Sequence, residues 1–319
     1  MLRRSLLLAG LAAVPALRAQ SLAGRPIRII VPWTAGGGTD VVARAMSGKL
    51  GEALGTSIFI ENKPGATGVI GTDTVAKAAP DGHTLVLGTN ATFSIAVGLL
   101  KLPYDAQKDL TPITRVASVP HVLTVHPSVP ANTVAELVAL AKAKPNGLSF
   151  GSSGIGSTVQ LAGEQFKLAT GTKILHVPYK GSGQSVADTI AGVVQVSFDT
   201  LPAVEAQIKA GRLRPLAILG PRRVPSLPDV PTVGEAGVQG AECVTWYGLY
   251  GPGALPAPLV GEIYDKVVGV LATPELKTRL KELGAEDTSP PAPDEFRKIA
   301  ASEIVRYATV IKAAGIQAQ

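Results

Sequence analysis

Short apolar runs, many of them β-branched, alternate along the chain with stretches in which apolar residues recur every three or four positions. The runs are IRIIV (27–31), SIFIE (57–61), TLVLG (84–88), HVLTV (121–125), LSF (148–150), KILHV (173–177), VVQVSF (193–198), LRPLAIL (213–219) and VTWYGLYG (244–251). Alternation of this kind predicts parallel strands joined by crossover helices, and both halves of the chain read as doubly wound α/β units with mainly parallel sheets. After the first run, Val42, Ala45, Met46, Leu50, Ala53 and Leu54 form one apolar stripe at helical spacing, with Arg44, Lys49 and Glu52 opposite.

Two stretches break the alternation. PYDAQKDLTPITRVASVPHV, from Pro103, is rich in turn formers and predicts a boundary near Thr111 to Pro120, and a proline-rich crossing begins near Leu219. Two or three helices, at about 258–271, 274–283 and 293–314, are expected to return to the first half. The division expected is 21–112 plus 225–319 for one lobe and 113–224 for the other, with a hinge at the two crossings, about 111–120 and 213–224. A length of 319 residues suits two cores better than one.

The first twenty residues, MLRRSLLLAGLAAVPALRAQ, join Arg3 and Arg4 to an apolar stretch and small residues at Ala16 and Ala19. They read as a cleaved export leader, through the general or the twin-arginine route, and no later run is apolar over the roughly 20 residues a membrane span needs. Export makes the expected location the periplasm. The net charge of +6 falls to +3 once Arg3, Arg4 and Arg18 leave with the leader. The remaining cations are scattered, so nucleic acid is not an expected partner. Cys243 is the single cysteine, which excludes an internal disulfide.

The chemistry gathers at strand ends. VPWTAGGGTDVVARAM joins the first strand to its helix through Gly36, Gly37 and Gly38, with Thr39 or Asp40 as the cap; bare backbone there offers amides to an anion, or simply makes a tight turn. ENKPGATGVIG repeats the arrangement with Thr67 and Gly68, and GTNATFS does so with Thr89, Asn90 and Thr92. The second half answers with GSSGIGSTVQ, YKGSGQS and SFDTLP. In open parallel sheets such loops share the carboxyl edge, so hydroxyls and amides from both halves would meet in one cleft. Enzymatic readings fit poorly: GSSGIG lacks the nucleophile-elbow spacing, no phosphate loop or dinucleotide fingerprint is complete, and His83, His121, His126 and His176 have no metal spacing. No catalytic residue, metal or cofactor is expected.

Taken in order, VPWTAGGGTDVVAR, ENKPGATGVIGTDTVAKAAPDGHTLVLGT, FGSSGIGSTVQLAGEQF through VVQVSFD, and RPLAILGPRRVPSLPDVPTVGEAG resemble the Bug receptors, the periplasmic substrate-binding proteins of tripartite tricarboxylate transporters. The resemblance runs from about Ile27 to the C-terminus. It implies a two-lobed Venus-flytrap fold, a monomer, capture of a small carboxylate by main-chain amides and ordered water, and delivery to a large and a small membrane subunit. By position it assigns ligand contact to Trp33, Gly37, Gly38, Thr39 and Asp40 in the first loop and to Ala66, Thr67 and Gly68 in the second. Thr89 and Asn90 follow at the third strand end, and Ser153, Gly156, Ser157, Thr158 and Asp199 belong to the second lobe. Gln160 stands where many relatives carry histidine, and TAGGG replaces a commoner proline-containing loop, so ligand identity is left open. A ligand sensor without transport, or a serine-dependent hydrolase or transferase using the GSSGIGS serines, are the competing readings.

Overall fold

The computed structural model describes residues 22–285 and 290–317, so the expected leader lies outside it. Among the described residues the strands are β1 (Ile27–Val31), β2 (Ile58–Asn62), β3 (Thr84–Thr89), β4 (Leu110–Pro120), β5 (Val122–Val125), β6 (Ser149–Ser152), β7 (Leu175–Pro178), β8 (Val196–Ser197), β9 (Arg214–Ile218) and β10 (Val244–Pro252). The helices are α1 (Gly38–Leu54), α2 (Val69–Ala76), α3 (Ala96–Leu99), α4 (Val134–Ala143), α5 (Thr158–Thr170), α6 (Ser182–Ile190), α7 (Leu201–Lys209), α8 (Ala257–Leu271), α9 (Pro274–Glu282) and α10 (Pro293–Ala313).

They form two five-stranded sheets, ordered β2-β1-β3-β10-β4 and β7-β6-β8-β5-β9. Each sheet is mixed. β10 runs against its neighbours β3 and β4, and β5 runs against β8 and β9. The connectivity explains this: β5 and β10 each enter their sheet from the other lobe, hence from the edge at which the parallel strands end. Apolar clusters cover both faces of both sheets. Val42, Met46 and Leu50 of α1 pack with Ile29, Leu87 and Leu249 on one face of the first sheet, and Ile30, Val86, Phe93, Trp246 and Phe296 fill the other. In the second lobe Leu137, Phe150, Phe166 and Phe198 oppose Val122, Leu201, Val204 and Ile218. Each such side chain, fully removed from water, contributes about 1.5–3 kcal/mol.

The boundaries differ from the expected ones. The expected boundary and crossing, about 111–120, lies within the eleven-residue strand β4, buried at eight of its positions. It pairs only with β10, at the sheet edge, where Pro112 and Pro120 need donate no ladder bond. The chain leaves the first sheet at Pro120 and returns at Val244. Residues 225–243 stay with the second lobe: Val233, Ala241 and Cys243 join its core, and Ile218 donates to Pro231 O at 2.8 Å. The crossings lie side by side, His121 N donating to Cys243 O at 3.1 Å and Cys243 N to Leu219 O at 2.7 Å.

Candidate binding cleft

The carboxyl ends of β1, β3, β6 and β8 face one another across a cleft whose inner cavity, of about 30 Å³, is lined by residues of both lobes. A volume of that size holds about two waters, so the lobes stand closed. Beyond it, sharing Trp33 and Ser153, opens an outer cavity of about 610 Å³.

In the first loop Gly36 turns with φ +78° and Gly37 is the N-cap of α1 without any side-chain cap bond. The amides of Gly38 and Thr39 therefore have no acceptor within the helix, and Gly37, Gly38 and Thr39 line the inner cavity. Asp40 turns away from it. Its carboxylate accepts from Gly36 N at 3.0 Å, Arg44 Nε at 3.0 Å and Asn62 Nδ2 at 3.1 Å. Burial opposes its ionisation, but the bonds from Arg44, Gly36 and Asn62 prevail and hold the carboxyl below its usual range. Asp40 braces the loop.

The second loop carries an unusual backbone. Gly65, Ala66, Thr67 and Gly68 all have positive φ, at +133°, +46°, +55° and +88°. Two non-glycine residues in the left-handed region cost about 1–2 kcal/mol each. The strain aims the Thr67 hydroxyl across the cleft, where it donates to the carbonyl of Ile155 in the other lobe. Ala66 and Thr67 line the outer cavity, whereas Gly68 is buried behind it. At the third strand end Thr89 lines the inner cavity with a buried hydroxyl that has no partner. Asn90 does not line it; its Nδ2 donates to Val244 O at 3.2 Å and to Tyr307 OH at 2.6 Å, tying β10 to α10.

From the second lobe Ser153 and Thr158 line the inner cavity. Ser157 caps α5 by accepting from Gln160 N at 3.1 Å, and Gly156 N donates to Gln160 Oε1 at 2.7 Å, so these residues shape the helix entry instead of facing the cavity. Gln160 thus holds its own loop. Asp199 lines the cavity at the end of β8; Thr200 N donates to its Oδ1 at 2.8 Å and Oδ2 makes no regular hydrogen bond. Burial pushes its carboxyl up to about 6 against the opposing pull of the nearby Ser182 hydroxyl and the Thr200 amide and hydroxyl.

Five further residues line the inner cavity: Val159, Ser182, Thr200, Thr245 and Tyr247. Ser182 and Thr200 stand in the helix-opening stretches YKGSGQS and SFDTLP, where the signal was present. Thr245 and Tyr247 lie in a run readable only as strand. They reach the cleft because β10 enters from the other lobe, which spacing alone does not reveal.

The inner lining contains no Lys, Arg or His. Positive potential comes instead from the N-terminal ends of α1, α5, α6 and α7, which contribute Gly38, Thr158, Ser182 and the cap Thr200. An anion at one helix end gains about 0.3–1 kcal/mol, and up to about 2 when partly buried.

The serines also bear on nucleophilic chemistry. Ser152 Oγ lies 2.6 Å from His176 Nε2. The Gly156 amide fixes Gln160 with its Oε1 inward, so Gln160 Nε2 donates to His176 Nδ1 at 3.3 Å. The ring proton is then on Nε2 and points at Ser152, the reverse of what a general base requires. Burial, with the charge of Lys167, lowers this imidazole to about 4. Among the described residues, no group of His, Cys, Asp and Glu is arranged to hold a metal ion, and no helix is long and apolar enough to cross a membrane.

Similarity to known proteins agrees with this geometry. The chain is 36% identical over 312 residues to protein BugT of Bordetella pertussis, covering 96% of this chain and 94% of that one. Its structure resembles an adipate-bound protein of R. palustris (TM-score 0.88, 36% identity, 92% of this chain and 98% of that one). It also resembles malate-bound MatC of Rhodopseudomonas palustris (TM-score 0.82, 32% identity, 90% and 99%). Residues 42–316 match the sequence profile described as the tripartite tricarboxylate transporter family receptor, and the chain belongs to that family, whose members are solute receptors and not enzymes.

Proposed function

We propose that this receptor captures a small organic carboxylate by closing its lobes over it, with the carboxylate in the inner cavity and the body of the ligand in the outer one. The observation that carries this is the convergence of four helix N-termini, from both lobes, on a cavity without a cation. Hydrogen bonds to a charged group contribute about 1.5–3 kcal/mol each, so a few of them with the dipoles support micromolar affinity, on the order of −8 kcal/mol. The adipate and malate of the two relatives are of the same chemical class.

In this reading Trp33, Gly37, Gly38, Thr39, Thr89, Ser153, Thr158 and Asp199 touch the ligand, and Ala66 and Thr67 close over it. Residues 22–120 with 244–317 swing against 121–243 about the paired crossings. The protein works as a monomer in the periplasm after losing its leader, and passes its ligand to a large and a small membrane subunit.

The test is thermal-shift and calorimetric titration of leader-free protein with aliphatic, hydroxy-, amino- and aromatic carboxylates. A ligand at 100 times its Kd adds about 2.7 kcal/mol of stability, and is recovered chemically intact. A panel without any saturable binder, or recovery of converted ligand, contradicts the proposal.

A further inference from the structure

A further cavity, of about 430 Å³, lies in the first lobe away from the cleft, lined from Phe93, the loop 106–108, β4, the first turns of α10 and Tyr250 of β10. That volume is in the range of small-molecule sites. Its floor is aromatic: the rings of Phe93 and Tyr250 stack at 3.8 Å between centroids, and Trp246 stacks behind Phe93 at 6.2 Å. Tyr250 is 4% exposed, and its hydroxyl is buried without a hydrogen-bond partner. A phenol in that state costs about 1–3 kcal/mol of desolvation unless something accepts from it. Burial raises its pKa well above the ordinary value, so it stays a donor.

The rim is cationic. Lys108, Arg297 and Lys298 line it, and Lys108 is engaged only loosely, 3.6 Å from Asp105. Glu303, whose charge bears on Tyr250, is already committed to Trp246 Nε1 at 2.6 Å and Arg306 at 3.2 Å. An apolar, aromatic floor with one unsatisfied donor under three cations matches an amphipathic anion.

We propose that this cavity is a second ligand site, separate from the cleft, for a carboxylate with an aromatic or medium-length aliphatic body. The body lies on Phe93 and Tyr250, and the carboxylate sits among Lys108, Arg297 and Lys298 within reach of the Tyr250 hydroxyl.

The chain has two tryptophans, Trp33 in the cleft and Trp246 behind this floor, so Trp33→Phe leaves a reporter for the second site alone. Leader-free Trp33→Phe protein is titrated with phenylacetate and, separately, with octanoate, following Trp246 emission. The expected result is a saturable change with at least one of them. Adding Arg297→Glu or Tyr250→Phe should weaken it at least fivefold, and Gly183→Ala, which sits in the cleft, should leave it within twofold. No saturable change with either acid overturns the site. So does binding that Gly183→Ala weakens and Arg297→Glu does not, which would place the acid in the cleft. Both outcomes leave the reading of the cleft itself untouched.

Discussion

A Cβ placed on Gly183, in the first turn of α6, would lie 2.6 Å from the carbonyl oxygen of Ala35 in the opposite lobe. Nothing in its own lobe comes as near. Gly183→Ala should therefore leave each lobe intact and obstruct only their meeting. Overpacking of this kind costs about 1–3 kcal/mol, which predicts a Kd raised about 5- to 150-fold. Calorimetry reads the affinity, and small-angle scattering with saturating ligand should show a less compact complex than the parent forms. Parent-like affinity would show that closure does not pass through this contact.

Tyr250 buries its hydroxyl without a partner, whereas the Tyr247 hydroxyl faces the cleft beside Thr200 and makes no regular hydrogen bond. Tyr247→Phe removes an unsatisfied polar atom from the empty protein and a hydrogen bond from the loaded one. Urea denaturation should show unchanged or higher stability, and carboxylate affinity should fall about 10- to 150-fold, since a bond to a charged group is worth about 1.5–3 kcal/mol. Loss of stability without loss of affinity would make the hydroxyl structural.

Asp40 braces the first loop without touching the cavity. Asp40→Asn should cost about 1–3 kcal/mol at neutral pH, because bonds from Arg44, Gly36 and Asn62 lose their charged acceptor. The folded carboxyl is held low, so its contribution is present above the unfolded value of about 3.9 and fades as pH falls through the folded value. Parent and variant should converge in urea denaturation as the pH is lowered below about 3.9. A constant difference across pH would remove the charge from the explanation.

His121 and His176 are both lowered by burial to about 4. Between about pH 6.5 and 4 the unfolded chain takes up protons that the folded one refuses, so stability falls by up to about 1.4 kcal/mol per pH unit for each. Asp199, raised to about 6, works in the opposite sense, its stabilisation fading as pH rises from about 4 to 6. His121→Asn should reduce the net slope in that window by about one proton's worth. Urea midpoints at pH 4.5, 5.25 and 6 measure it; an unchanged slope would mean that His121 is protonated in the folded protein.

Glycine-rich strand ends, their hydroxyls and the stripe on α1 were legible in the sequence because each is local. What needed tertiary structure is equally specific. β4 hid because Pro112 and Pro120 argue for a turn until the strand is known to be an edge. Asp40, Asn90, Gly156 and Ser157 sit in the right loops, yet their partners Arg44, Tyr307 and Gln160 determine that they brace the cleft from behind. Thr245 and Tyr247 became visible only once β10 was seen to arrive from the other lobe.

The inner cavity gathers its positive potential from helix ends divided between two bodies, with no formal cation on either. Partial charges of that kind outweigh hydration only when water is kept out and all four ends face the same anion. Once the bodies part, each half competes alone against solvent, and the inner lining offers no lysine or arginine to keep the carboxylate on one side. Unloading therefore needs no competitor molecule and no chemical change in the ligand. With the carboxylate held as proposed, a surface that wedges the lobes open would be sufficient to empty the receptor.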